Sequence, residues 1–139
     1  MEQDIVSAYL DAIGRGAYDE LADLYAEDAV IEIPFAPPGV PRTSRGREVF
    51  RARSKSSEAL WRIEGVDQVT VHQTTDPGIA VVEFTLHRRL RESGRLVSSG
   101  YVVVLTIRDG LIQHGRDYAD PVAGARALGR LHQLAGAAE

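Results

Sequence analysis

The chain has 139 residues, 44% hydrophobic and 26% charged, the make-up of a single globular domain long enough to bury a core. A net charge of −4 and a pI near 5.6 give no electrostatic footprint for nucleic acid. Cysteine is absent, which excludes disulfides, thiolate nucleophiles and cysteine-ligated metal sites.

The opening Met-Glu-Gln-Asp-Ile-Val lacks the basic and apolar regions of a secretion signal, and no apolar run approaches membrane-spanning length. A cytoplasmic protein with no membrane partner is therefore expected. Ile5, Val6, Tyr9, Leu10, Ala12 and Ile13 share one helical face, and Gly14-Arg-Gly16 ends that helix. A second short helix is predicted over about 18–25, with Leu21, Leu24 and Tyr25 inward, and a short strand over 29–33. The following Pro34-Phe-Ala-Pro-Pro-Gly-Val-Pro-Arg42 holds four of the six prolines and fits neither a helix nor a central strand. It reads as a stiff loop able to rim a pocket at low entropic cost. A third helix is predicted from about 47 to 60, with Val49, Phe50 and Arg53 on one side and Trp61 at its end.

Strands and turns follow. A strand over 63–75, bulged near Gly65, leads through Asp76-Pro-Gly78 into a second over 79–90. There Val82, Phe84 and Leu86 alternate with Glu83, Thr85 and His87, so one face is dry and the other polar. After Glu92-Ser-Gly94 comes a strand over 95–108, whose apolar run Val102 to Ile107 lacks alternation and predicts cover on both faces. Asp109-Gly110 is a tight-hairpin signal. The returning strand carries Arg116-Asp-Tyr-Ala-Asp120, and Pro121 opens a helix reaching Leu134 behind Asp120 as N-cap. The order α-α-β-α-β-β-β-β plus a C-terminal helix implies one α+β domain over 1–139, a curved antiparallel sheet wrapped over the N-terminal helices.

Leu24-Tyr-Ala-Glu-Asp-Ala29, Gly46-Arg-Glu48, Arg108-Asp-Gly-Leu-Ile112 and Arg116-Asp-Tyr-Ala-Asp-Pro121, in this layout, resemble the nuclear transport factor 2-like superfamily, and within it SnoaL-like proteins. The resemblance covers nearly the whole chain. It implies a cone-shaped sheet around a mostly apolar pocket, and a homodimer packed through the outer sheet face. The superfamily includes polyketide cyclases, ketosteroid isomerases, limonene epoxide hydrolases, phenazine biosynthesis proteins, dehydratases and non-catalytic modules, so the fold alone names no reaction.

By that resemblance Tyr9 matches the first-helix tyrosine that ketosteroid isomerases use as an oxyanion donor. Their base would fall at Ile33 and their protonated aspartate near Val103; neither is acidic, so ketosteroid-type isomerisation does not carry over. Asp117 is similar in position to the last-strand carboxylate of cyclases, epoxide hydrolases and phenazine proteins, with Asp120 a second candidate. The Arg-x-Asp pair of the epoxide hydrolases is replaced by Glu83 and His87-Arg88. The proline loop, similar to that of phenazine-type relatives, favours a small cyclic or aromatic ligand.

The residues leave alternatives open. Asp117 is either a pocket acid–base group or the partner of an arginine, and strand parity does not decide, because Gly115 and Ala119 share its face while Ile112 lies on the other. Tyr9 is a pocket donor or a core tyrosine. Glu83 and His87 form a proton relay if their face looks inward, and a solvated or dimer face if it looks outward. Phe35, Arg42, Phe50, Trp61, Tyr101 and Tyr118 are the candidate substrate contacts. His72 and His114 show no ligand spacing, and neither metal nor cofactor is expected. The leading expectation is a cofactor-free acid–base enzyme acting on a small apolar or aromatic metabolite as cyclase, isomerase, dehydratase or hydrolase. The competing one is a non-catalytic small-molecule-binding or dimerisation module.

Overall fold

The computed structural model describes residues 2–135. Helices α1 (Glu2–Arg15) and α2 (Tyr18–Asp23) precede strand β1 (Tyr25–Glu32) and the short β2 (Thr43–Arg45). Helix α3 (Arg47–Ser56) runs through a 3₁₀ turn into β3 (Trp61–Gln73), followed by β4 (Ile79–Leu90), β5 (Leu96–Arg108) and β6 (Leu111–Ala119). Two short helices, α4 (Pro121–Ala127) and α5 (Leu131–Leu134), close the described chain.

The α+β architecture is as expected, with one six-stranded sheet in the order β2-β1-β6-β5-β4-β3. It is mixed rather than wholly antiparallel, because β1 runs parallel to β6. Several boundaries also differ. Tyr25 opens β1 instead of ending a helix, and Trp61 opens β3 instead of ending α3. The single C-terminal helix is two, interrupted at Gly129, whose positive φ ends the turn after α4. β2 lies between the proline loop and α3, where no strand was expected, held by the pairing of Ser44 with Ile31.

The predicted hairpin turn forms, with Asp109 at φ 54° and Gly110 at φ 76°, both in the left-handed region that a two-residue turn of this twist needs. The bulge near Gly65 is also present, as a register shift between Ile63 and Gly65. Double cover of Val102–Ile107 is not found within one copy. Val103, Leu105 and Ile107 are buried, whereas Val102 is 37% exposed. The inner row packs on Val6, Tyr9 and Ala12 of α1, on Tyr25 and Ile31 of β1, and on Val82 and Phe84 of β4. Val49 is half-exposed rather than inward, while Phe50 tilts against Tyr25 with ring centroids 4.6 Å apart. No described helix is long and apolar enough to cross a membrane.

Candidate functional site

Between the inner sheet face and helices α1, α2 and α3 lies a cavity of about 190 Å³. Its wall is mostly apolar: Ile13, Leu21, Phe50, Ile63, Phe84 and Leu86. Into it project the hydroxyl-bearing Tyr9, Tyr18, Tyr25, Tyr101, Ser54 and Ser57, with Trp61 and two charged residues, Arg88 and Asp117. A dry apolar cavity of about 150 Å³ accepts benzene, so this one suits a molecule built around one ring.

Asp117 reaches the cavity through a local irregularity. On β6 Ile112 pairs with Ile107 and His114 with Thr106, which leaves Gln113 without a partner on β5. The extra residue reverses the alternation, so Ile112, Gly115 and Asp117 all face inward, opposite Ile107, Leu105 and Val103. Asp117 Oδ1 is out of reach of solvent and has no hydrogen-bond partner. Burial pushes its carboxyl from the usual value of 3.8 up to about 7, with the positive charge of Arg53 pulling the other way. Arg53 is held by donation from its guanidinium to Ser44 Oγ.

Tyr9 and Tyr25 lie side by side in the cavity lining and the core. Desolvation raises both phenols well above their ordinary range, and the charge of Asp117 adds to this. Tyr101 is raised for the same first reason. All three therefore stay protonated near neutrality and serve as donors. Each phenol has one proton to donate to an oxygen in the cavity.

Of the residues singled out in the sequence, Asp117, Tyr9, Phe50, Trp61 and Tyr101 come together around this cavity. The others lie elsewhere. Asp120 is the N-cap of α4, accepting from the backbone N–H of Val122 (3.0 Å) and Ala123 (3.1 Å). Glu83 and His87 occupy the outer sheet face, Glu83 paired with His72 and His87 with Asp67 at 2.8 Å. Their face looks outward, the alternative in which they are solvated or at a dimer face. Phe35 is 59% exposed and meets Tyr118 edge to face, 5.4 Å between centroids, away from the cavity. Arg42 is exposed on the proline loop.

Arg88, noted only with His87 in place of the Arg-x-Asp pair, was not expected in the cavity lining. Its signal was present, because the dry alternation Val82, Phe84, Leu86 places residue 88 next on the inner face. Tyr25 was expected inward but not as part of a site. Among the described residues no three His, Asp or Glu side chains cluster closely enough to hold a metal ion.

A model of SnoaL-like domains matches residues 6–115, stopping two residues short of Asp117. An uncharacterized PhzA/B-like protein of Pseudomonas aeruginosa is 33% identical over 113 residues, 81% of this chain and 79% of that protein. Among solved structures, a Bacillus subtilis protein provisionally named an isomerase superposes with a TM-score of 0.82 at 23% identity over 91% of each chain. A phenazine biosynthesis-related protein of Pseudomonas aeruginosa gives 0.76 at 19% identity, covering 93% of this chain and 81% of that one. At such identities the structures speak for the fold, and the sequence match speaks for kinship. The match runs from α1 through most of β6, and the chain belongs to the SnoaL-like domain family, of nuclear transport factor 2-like fold.

Proposed function

We propose that the protein is a cofactor-free acid–base enzyme acting on a small, largely apolar or aromatic metabolite, by cyclisation, isomerisation, dehydration or hydrolysis. The observation that carries this reading is the unpartnered Oδ1 of Asp117 inside an apolar cavity. A carboxyl raised to about 7 is divided between its two protonation states near neutrality, which suits a group that takes a proton and returns it. In this mechanism the Asp117 carboxylate removes a proton beside a carbonyl or hydroxyl of the bound ring. Tyr9, beside Tyr25 in the lining, donates to the oxygen on which charge gathers. Both phenols are neutral donors, so they stabilise that charge without competing for the proton.

The test is Asp117→Asn, compared with the parent protein on a compound that raises its melting temperature. Product formation, followed by mass spectrometry, should fall by roughly 10²–10⁴-fold, the worth of one positioned acid–base group. The parent's kcat/KM should rise with pH through about 7, since the carboxylate is the form that takes the proton. Undiminished turnover in Asp117→Asn would remove the carboxylate from the chemistry.

A binding module without chemistry is the second reading, favoured by one feature: among the described residues Asp117 is the only carboxylate lining the cavity. It predicts a stabilising ligand that is recovered unchanged. Under either reading we place a second copy on the outer sheet face, where Val102 is 37% exposed beside Tyr118 on the neighbouring strand. Val102→Glu should convert a dimer to a monomer by light scattering.

A further inference from the structure

Arg88 stands at the opposite end of the cavity lining from Asp117. Its cross-strand neighbours are Ile63 and Val97, and its same-face neighbours along β4 are Leu86 and Leu90. The guanidinium carbon lies 4.0 Å from the centroid of the Trp61 ring. Nε is shut off from solvent and has no hydrogen-bond partner. Among the described residues no carboxylate forms an ion pair with Arg88. Arg88 is half-buried among apolar neighbours, and its buried in-plane Nε–H has no acceptor, a donor that an anion would satisfy. Trp61 satisfies the face of the guanidinium but none of its N–H groups, which all point along the plane.

The two charges are well apart. Asp117 is level with Val103 and, through it, with Val82, whereas Arg88 lies six residues further along β4. Six residues of straight strand span about 20 Å, shortened here by the reach of an arginine side chain and by sheet curvature. Only Arg53, and not Arg88, acts on the Asp117 carboxyl. The cavity is therefore a slot with a cationic end, an apolar middle formed by Phe84 and Leu86, and a carboxyl end.

We infer that the ligand of this cavity is a small monocyclic carboxylate, its carboxylate oxygens held edge-on by Arg88 against Trp61 and its ring directed toward Asp117. A guanidinium whose face is covered by an aromatic ring presents its edge, and that edge matches a carboxylate in two parallel hydrogen bonds. The cavity volume of about 190 Å³ leaves room for one ring besides the carboxylate. This deepens the proposed function by naming its substrate class, but the binding half does not need the chemistry to be right.

Benzoate and its neutral isostere benzamide are the probes, titrated at pH 8 with fluorescence of Trp61, the one tryptophan, and calorimetry as readouts. Benzoate should bind saturably and perturb Trp61, and benzamide should bind roughly tenfold or more weakly. Arg88→Met keeps the bulk over Trp61 and removes the donors. It should lose roughly tenfold to a hundredfold in benzoate affinity and little for benzamide. Equal binding of the two probes, benzoate affinity kept in Arg88→Met, or no saturable benzoate binding to the parent would each overturn the proposal. Asp117→Asn separates it from the enzymatic reading. Benzoate bound tightly by a variant that still turns over its substrate would sink the role of Asp117 and leave the Arg88 clamp standing.

Discussion

The two faces of the sheet use ionisable residues in opposite ways. On the outer face they come in pairs: His72 with Glu83, His87 with Asp67, and His114 with Glu32. Each pair bridges neighbouring strands and, within one copy, is reached by water. On the inner face Asp117 and Arg88 have no such partners, and each has a buried polar atom left without a hydrogen bond. The strands are the same and the residue types overlap. What differs is that one atom of each inner group meets neither water nor a protein partner, and that atom is available to a ligand.

The sharpest break of this contrast is Asp117→Asn read as stability against pH. An aspartate raised from 3.8 to about 7 carries a folded-state penalty on the order of 4 kcal/mol once ionised. Below pH 3.8 both folded and unfolded carboxyls hold the proton, and the penalty is absent. Between 3.8 and about 7 only the folded form holds it, so stability falls as pH rises; above about 7 the loss is complete. The stability of the variant relative to the parent should therefore grow across that window by up to roughly 4 kcal/mol, measured by denaturant unfolding at stepped pH. Groups common to both proteins cancel in the difference. A difference that stays flat with pH would show that Asp117 is not buried as a charge. A gain in stability bought by losing turnover is the signature expected of an active-site acid.

Tyr9→Phe tests the donor side of the same cavity. It keeps the ring packed beside Tyr25 in the core and removes one hydroxyl. Turnover should fall by roughly tenfold to a thousandfold, with KM changed less than kcat, because the hydrogen bond matters most when charge gathers on the ligand oxygen. An equal loss in binding and rate would make the hydroxyl a ground-state contact only.

The fold was legible because its signals are local. The Asp109-Gly110 turn, the alternation along β4 and the Asp120-Pro121 helix start all rest on neighbours within a few residues, and all three form. The parallel contact of β1 with β6 was not, since Ile31 and Gly115 meet across most of the chain and no short-range pattern announces it. The inward turn of Asp117 was hidden for a different reason. A period-two reading of β6 puts Ile112 and Asp117 on opposite faces, and only the unpartnered Gln113 brings them together. Glu83 and His87 fell to the outer face by the same alternation that was read correctly for Val82, Phe84 and Leu86. Carried one step further, that alternation points to Arg88.

Asp120→Ala marks the border between the two faces. Asp120 caps α4 through two backbone N–H groups and is exposed. Its loss should cost about 1 kcal/mol, the usual worth of such a cap, and leave kcat unchanged. A fall in kcat beyond what lost stability explains would return Asp120 to the chemistry.

The smallest effect belongs to Glu83→Gln. Glu83 and His72 are both about half-exposed and pair across β3 and β4. Within one copy an ion pair so placed gains little over hydration and is screened by salt, so in the monomer the change should alter stability by less than about 0.5 kcal/mol. Turnover should not change, because the side chain lies on the far side of the sheet from Phe84, which lines the cavity. Thermal unfolding and steady-state rates of the variant beside the parent measure both. A substantial loss of rate with stability intact would mean that the outer face takes part in the chemistry, and the division between the partnered face and the unpartnered one would no longer locate the site.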